Sequence, residues 1–254
     1  MYRLFTTALV AASSVSALSL SSGCQSALTQ VAGNADANAC LSISSLISTV
    51  IQSNSSIVTP VDNMLKALCA AAPCTNATLS AIVTNITTGC STELSSTGSS
   101  APSASTLTTL VQQYYPTVRN IVCLTDSGTN CITQTLTNLQ AILGTLSINN
   151  IGGVLSKALT TTSVPANVTC TNCNKQAFNV LNQAFPGTLT SESSALQSQC
   201  GASFTDGNTP AGIVQSAKTT TTKPSSAPAT TMARGALAAL TASVLVATSF
   251  WAFA

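Results

Sequence analysis

The chain has 254 residues and a formal charge of +2, with 6% charged residues, 4% aromatic residues and no histidine. Arg3 and Arg234 fall in terminal segments that read as removed, so six bases (Lys66, Arg119, Lys157, Lys175, Lys218, Lys223) face six acids (Asp36, Asp62, Glu93, Asp126, Glu192, Asp206). This neutral, unclustered set excludes nucleic-acid binding, which draws its affinity from grouped Lys and Arg. The missing histidine excludes the usual serine and cysteine triads, His-ligated zinc and the commonest general base.

At the N-terminus, residues 1–17 combine Arg3, the apolar run Leu9-Val10-Ala11-Ala12 and the small-residue site Val15-Ser16-Ala17, which predicts a secretory signal peptide. The mature chain is then expected near Leu18 and opens a first cysteine-rich helical half, residues 18–92. Cys24 to Val31 reads as a short helix closed by Gly33-Asn34. Asp36 or Asn38 can cap the next helix, whose apolar positions Ile43, Leu46, Ile47, Val50 and Ile51 follow the helical repeat. After Asn54, Thr59-Pro60 reopens helix with proline expected at the first position, where its missing N–H costs nothing. Val61, Met64, Leu65 and Leu68 form the next stripe.

That stripe runs into the stretch around which the chain is organised. Cys69 and Cys74 precede a polar cap at Thr75, an apolar stripe of Leu79, Ile82, Val83 and Ile86, then Gly89 and Cys90. The pattern predicts a helix stapled by disulfides. Residues 93–106 hold few large apolar side chains and read as a Ser/Thr-rich flexible linker.

The second half, residues 107–207, opens with Leu107, Leu110, Val111 and Tyr114 at helical spacing up to Tyr115-Pro116, where proline predicts a break or kink. Val118, Ile121 and Val122 lead to Cys123. Ile132, Leu136, Leu139 and Leu143 predict a further amphipathic helix, and Ile151 to Leu159 a weaker one interrupted by Gly152-Gly153. The cysteine gaps of this half, 7, 38, 2 and 26 residues, follow the order of the first, 15, 28, 4 and 15. The helix after Cys173 also parallels the helix after Cys74. We read this as a duplication. Because each half holds five cysteines, a closed set needs at least one bond between halves and predicts one compact body.

Residues 208–234 turn to Ser, Thr and Pro and read as a stalk carrying a small-residue cluster, Ser225-Ser226-Ala227. Residues 235–254 form an uncharged apolar tail. Small residues, spacer and tail in that order predict attachment of a GPI lipid at Ser225 or Ser226 with loss of the tail. The alternative is a retained membrane-spanning helix, since about 20 apolar residues also cross a bilayer. Either way the plasma membrane is the expected partner, with cell-wall glucan and a lipid or sterol as further candidates.

All ten cysteines (Cys24, Cys40, Cys69, Cys74, Cys90, Cys123, Cys131, Cys170, Cys173, Cys200) lie in the mature region, which in an exported chain predicts five disulfides. Sequons at Asn54, Asn76, Asn85 and Asn167 predict N-glycosylation. Cys170-Thr-Asn-Cys173 has redox spacing but lacks a surrounding βαβ pattern, so its cysteines read as structural. Glycoside hydrolysis needs two carboxyls roughly 5 to 9.5 Å apart. The six acids are scattered and aromatic platforms are scarce. We therefore expect an all-α, disulfide-stapled helical bundle that is not an enzyme and has no catalytic, cofactor-binding or metal-binding residues.

Tyr114-Tyr-Pro116, Cys123-Leu-Thr-Asp126, Cys170-x-x-Cys173 and Cys200-Gly-x-x-Phe204-x-Asp206-Gly207, taken with the signal and anchor segments, resemble a family of secreted, cysteine-rich, GPI-anchored fungal surface proteins of unknown function. That resemblance implies a helical, disulfide-bonded, anchored ectodomain at a fungal cell surface or wall and supplies no information on activity. The order Cys24, Cys40, Cys69-x4-Cys74, Cys90, Cys123 is also similar to that of the elicitins, small helical sterol carriers. This second likeness implies the pairs Cys24–Cys90, Cys40–Cys74 and Cys69–Cys123, and an apolar ligand. The chain's own cysteine spacing leaves the pairing open.

Overall fold

The structure, a computed structural model, describes residues 21–44, 55–95, 103–147, 149–150 and 165–219. The signal segment, most of the apolar helix expected up to Ile51, the weak helix expected at Ile151 to Leu159, Asn54, Ser225, Ser226 and the C-terminal tail lie outside the described residues.

Helix α1 (Ser22–Gly33) begins where the Ser21 hydroxyl accepts the Cys24 N–H. Asn34 ends it and also caps α2 (Ala35–Leu41), its side chain accepting the Ala37 N–H at 2.8 Å. Asp36 and Asn38 lie inside α2, which Asn34 caps. At Ser42 the backbone turns left-handed (φ 55°), so α2 stops before the expected apolar stripe. Asn38 instead accepts the Ser44 N–H beyond that break.

Helix α3 (Val58–Ala70) places Pro60 third, not first. The position is still tolerated because the first-turn N–H groups have no intrahelical acceptor. Helix α4 (Asn76–Gly89) is the expected stapled helix: Thr75 caps it, Leu79 and Val83 are its buried residues, and Cys74 and Cys90 flank it. Against it lies α1, with Gly23 and Gly89 at the crossing. A Cβ on Gly89 would stand 2.3 Å from the Ala27 Cβ, so the close approach of the two helices requires glycine there.

The linker expected over 93–106 is shorter than the composition suggested. Glu93 to Ser95 belong to α5 (Ser91–Ser95), and α6 (Ala104–Val122) starts at a Ser103 cap. Helix α6 continues through Pro116, contrary to the expected break. Proline forfeits one bond, to the carbonyl four residues back. The rest of the helix is held by packing: Val111 and Tyr115 lie on Cys40, Cys74 and Leu79, while the Tyr114 ring sits 4.8 Å from Phe185. Helix α6 thus packs on the first half as well as the second.

After Cys123 come β1 (Leu124–Asp126) and β2 (Thr129–Asn130), joined by Ser127-Gly128, both at positive φ. Two left-handed residues are what a tight two-residue hairpin demands. Asn130 then caps α7 (Cys131–Leu143). Beyond residue 165 follow α8 (Ala166–Thr169), α9 (Asn172–Ala184), α10 (Thr190–Cys200) and a 3-10 turn, Ala202–Thr205. Thr171 caps α9 just as Thr75 caps α4, but Cys173 lies inside α9 whereas Cys74 lies before α4.

The last element corrects a boundary. Ile213–Gln215 form β3, which pairs antiparallel with β1 to give the sheet order β2-β1-β3. The folded body therefore includes residues assigned by composition to the stalk from 208 onward. Apart from this three-stranded sheet, the described body is helical.

Its core is divided into small clusters, one of them aliphatic (Leu139, Leu146 and Val168) and the others built around cystines or aromatic rings. Leu124, Cys131, Cys173 and Ala177 form one, and Cys40, Cys74 and Leu79 another. Phe178, Leu196 and Phe204 form a third, beside Cys170 and Cys200. Such thin clusters bury little apolar surface each, so the crosslinks carry much of the stability, at roughly 2–4 kcal/mol per disulfide.

Candidate functional site

Five disulfides close all ten cysteines: Cys24–Cys90, Cys40–Cys74, Cys69–Cys123, Cys131–Cys173 and Cys170–Cys200. Helix α4 is tied at its N-terminal end through Cys74 and at its C-terminal end through Cys90. Cys170 and Cys173 do not pair with each other, so the redox spacing belongs to two separate structural bonds. Both halves join their second and fourth cysteines. They differ in the one sent across, the third (Cys69) in the first half and the first (Cys123) in the second, so the repeat is a partial one in its bonding.

The junction at Cys69–Cys123 gathers several polar side chains that act at long range. Along one face of α6, Tyr115, Arg119 and Cys123 follow one another at four-residue spacing. The Tyr115 hydroxyl accepts the Cys74 N–H at 2.9 Å, and Arg119 donates to the Ala71 carbonyl at 2.5 Å. Together with the disulfide they clamp the segment between α3 and α4 at residues 69, 71 and 74. Arg119 is 5% exposed, and its Nε and the second terminal nitrogen have no hydrogen-bond partner. Sequence reasoning did not single out Arg119. A lone base inside a helix stripe reads as a surface residue.

Beside the disulfide lies an open cleft of about 250 Å³ lined by Leu65, Lys66, Cys69, Thr125, Asn130 and Ser216, among others. Its polar side chains are engaged. Lys66 pairs with Asp62 at 2.7 Å, one turn back on α3, and Asp62 also accepts the Thr133 hydroxyl at 2.9 Å. The Lys66 hydrogen bond, aided by Thr133, holds the Asp62 carboxyl below its ordinary range against the opposing effect of burial. Asn130 donates to the Val122 carbonyl and accepts the Ile132 N–H, both at 2.8 Å. The Ser216 hydroxyl donates to the Cys123 carbonyl at 2.7 Å.

Two further acids hold the body together. Glu93 accepts the Ser21 N–H at 2.6 Å, which lowers its pKa and fastens the start of α1 to α5. Asp206 pairs with Lys175 at 2.8 Å and accepts the Asn208 N–H, and these bonds lower it to about 2. Among the described residues, Cys24, Cys90 and Glu93 are grouped closely enough to hold a metal ion. Both sulfurs are spent in a disulfide, so neither is a thiolate ligand.

Of the expected glycan acceptors, Asn76 and Asn167 are exposed and Asn85 is half-buried. Asn76 is the first residue of α4 and Asn167 lies in α8. Both side chains therefore stand at helix starts on the surface. Fold and crosslinks together define a class: a disulfide-stapled helical body suited to an oxidising, extracellular environment. No family model, curated protein or solved structure matches the chain.

Proposed function

We propose that the chain is a non-enzymatic, GPI-anchored glycoprotein of a fungal cell surface or wall. The closure of all ten cysteines carries this reading, because such bonds persist only outside reducing compartments. Exposed Asn76 and Asn167, a Thr/Ser/Pro stretch after the folded body, and the resemblance to secreted cysteine-rich fungal proteins support it. With 6% charged residues the mature surface needs attached sugar for solubility, which the sequons supply.

The test is direct. Intact cells expressing the chain are treated with a phosphatidylinositol-specific phospholipase, and their walls are digested with glucanase. Release of an N-glycosidase-sensitive protein by either treatment is the expected result. An unglycosylated protein kept in the cytosol contradicts it.

A second reading, an apolar-ligand carrier of elicitin type, is favoured by one observation: three of the pairs are those the likeness implies. The cleft at Cys69, about 250 Å³, is smaller than the 300–1,000 Å³ usual for small-molecule sites. Native mass spectrometry of the secreted protein followed by organic extraction decides between the two. A stoichiometric sterol or lipid selects the carrier, and a bare mass selects the surface glycoprotein.

A further inference from the structure

The Cys69–Cys123 bond is the one disulfide between the two cysteine-rich halves. It is also the bond over which the last described stretch of chain is laid. From β3 onward, Ser216 donates both its N–H (3.0 Å) and its hydroxyl (2.7 Å) to the carbonyl of Cys123. Two residues later the Lys218 N–H donates to the carbonyl of Cys69 at 2.8 Å. The Gln215 side chain adds a bond to the Asn120 carbonyl at 2.7 Å. A single strand thus bonds the backbone of both half-cystines, and Ser216 and Cys69 share the wall of the same cleft. Cys123 is fully buried and Cys69 is 5% exposed.

We propose that Ile213–Lys218 is a strap that shields the inter-half disulfide, so that releasing the strap opens Cys69–Cys123 to thiol exchange. The strap begins as an edge strand of three paired residues, with Val214 60% exposed. Short edge elements with few buried contacts open locally at small free-energy cost. Once it lifts, the cleft runs to the Cys69 sulfur. An external dithiol supplies the two electrons: its thiolate attacks one sulfur, the other leaves as a thiolate, and the second thiol of the reagent closes to its own disulfide and frees the first cysteine. The Cys40–Cys74 bond lies in a cluster that no strap residue touches, whereas Ile213 packs on the cluster of Cys131 and Cys173.

The experiment uses the full chain, secreted from a eukaryotic host, exposed to dithiothreitol under native conditions and quenched with an alkylating reagent at successive times. Peptide mass spectrometry follows each cysteine. In the parent, Cys69 and Cys123 are expected to be alkylated more slowly than Cys170 and Cys200, whose bond is only partly buried. In Val214→Pro the rate at these two is expected to rise about tenfold. The alternating ladder makes Thr125 and Val214 a hydrogen-bonded pair, and proline removes that N–H from an exposed position without opening the core. Ser216→Ala, which removes only the hydroxyl bond, is expected to act in the same direction and more weakly. Equal rates at Cys69–Cys123 in parent and both variants would overturn the proposal. So would an equal rise at all five bonds, which reports general loosening.

Discussion

At Arg119 a buried cation makes one hydrogen bond, to the Ala71 carbonyl, and leaves two nitrogens without partners. Burying an unpaired charge costs more than the single bond returns. Arg119→Met keeps the stem and removes the charge, and we expect it to leave stability within about 1 kcal/mol of the parent or to raise it. Chemical denaturation measures this. A loss of more than about 3 kcal/mol means that the guanidinium contributes through partners other than Ala71. Asp206 gives a pH dependence of known sign. Its folded-state pKa lies at about 2, below the ordinary 3.8, because of Lys175 and the Asn208 N–H. The stabilisation is therefore complete above about pH 4 and is lost as pH falls toward 2. The group is near the surface, so the effect is small, and Asp206→Asn should lower the thermal midpoint slightly at neutral pH and flatten its fall over that window, the two proteins converging toward pH 2. A parallel drop in both proteins assigns the acid sensitivity to other carboxylates.

Among the described elements, the α1–α4 crossing leaves no room for a side chain at Gly89. Gly89→Ala places a methyl 2.3 Å from the Ala27 Cβ, whereas Gly33 at the end of α1 has open space around it. We expect Gly89→Ala to cost about 1–3 kcal/mol through overpacking. Gly33→Ala should be neutral or stabilising by up to about 1 kcal/mol, because alanine restricts the unfolded chain. Denaturant midpoints compare the pair, and equal midpoints contradict the close crossing. Helix α4 itself could be read directly from the sequence, since cap, stripe and flanking cysteines are local signals. Pro116 could not. A proline in a helical stripe predicts a break unless tertiary packing overrides it, and the contacts that do so, at Leu79 and Phe185, come from distant parts of the chain. Ser127-Gly128 was a turn signal that could have revealed the hairpin. Ser42 carries no such mark, because nothing in a serine predicts a left-handed backbone.

For the whole molecule, the five-plus-five division of cysteines required a bond between halves, and Cys69–Cys123 is that bond. Which cysteine crosses was not legible from spacing. It depends on α6 lying along the segment between α3 and α4, with Tyr115 and Arg119 bonded to it. Strand β3 escaped for a related reason. Three residues have no periodicity to detect, and their partner β1 lies about 90 residues away in sequence. Composition alone therefore placed the end of the body too early. The functional reading follows from the same architecture. Thin apolar clusters joined by five crosslinks make a body whose stability depends on an oxidising environment, and its carboxylates Asp62, Glu93 and Asp206 are engaged in fastening elements together.

The most direct test of this account is a disulfide map, by mass spectrometry of non-reduced peptides, of the protein recovered with its glycans from the cell surface. The account predicts Cys24–Cys90, Cys40–Cys74, Cys69–Cys123, Cys131–Cys173 and Cys170–Cys200 with no free thiol. A Cys170–Cys173 bond, free thiols, or two halves with no bond between them would contradict it.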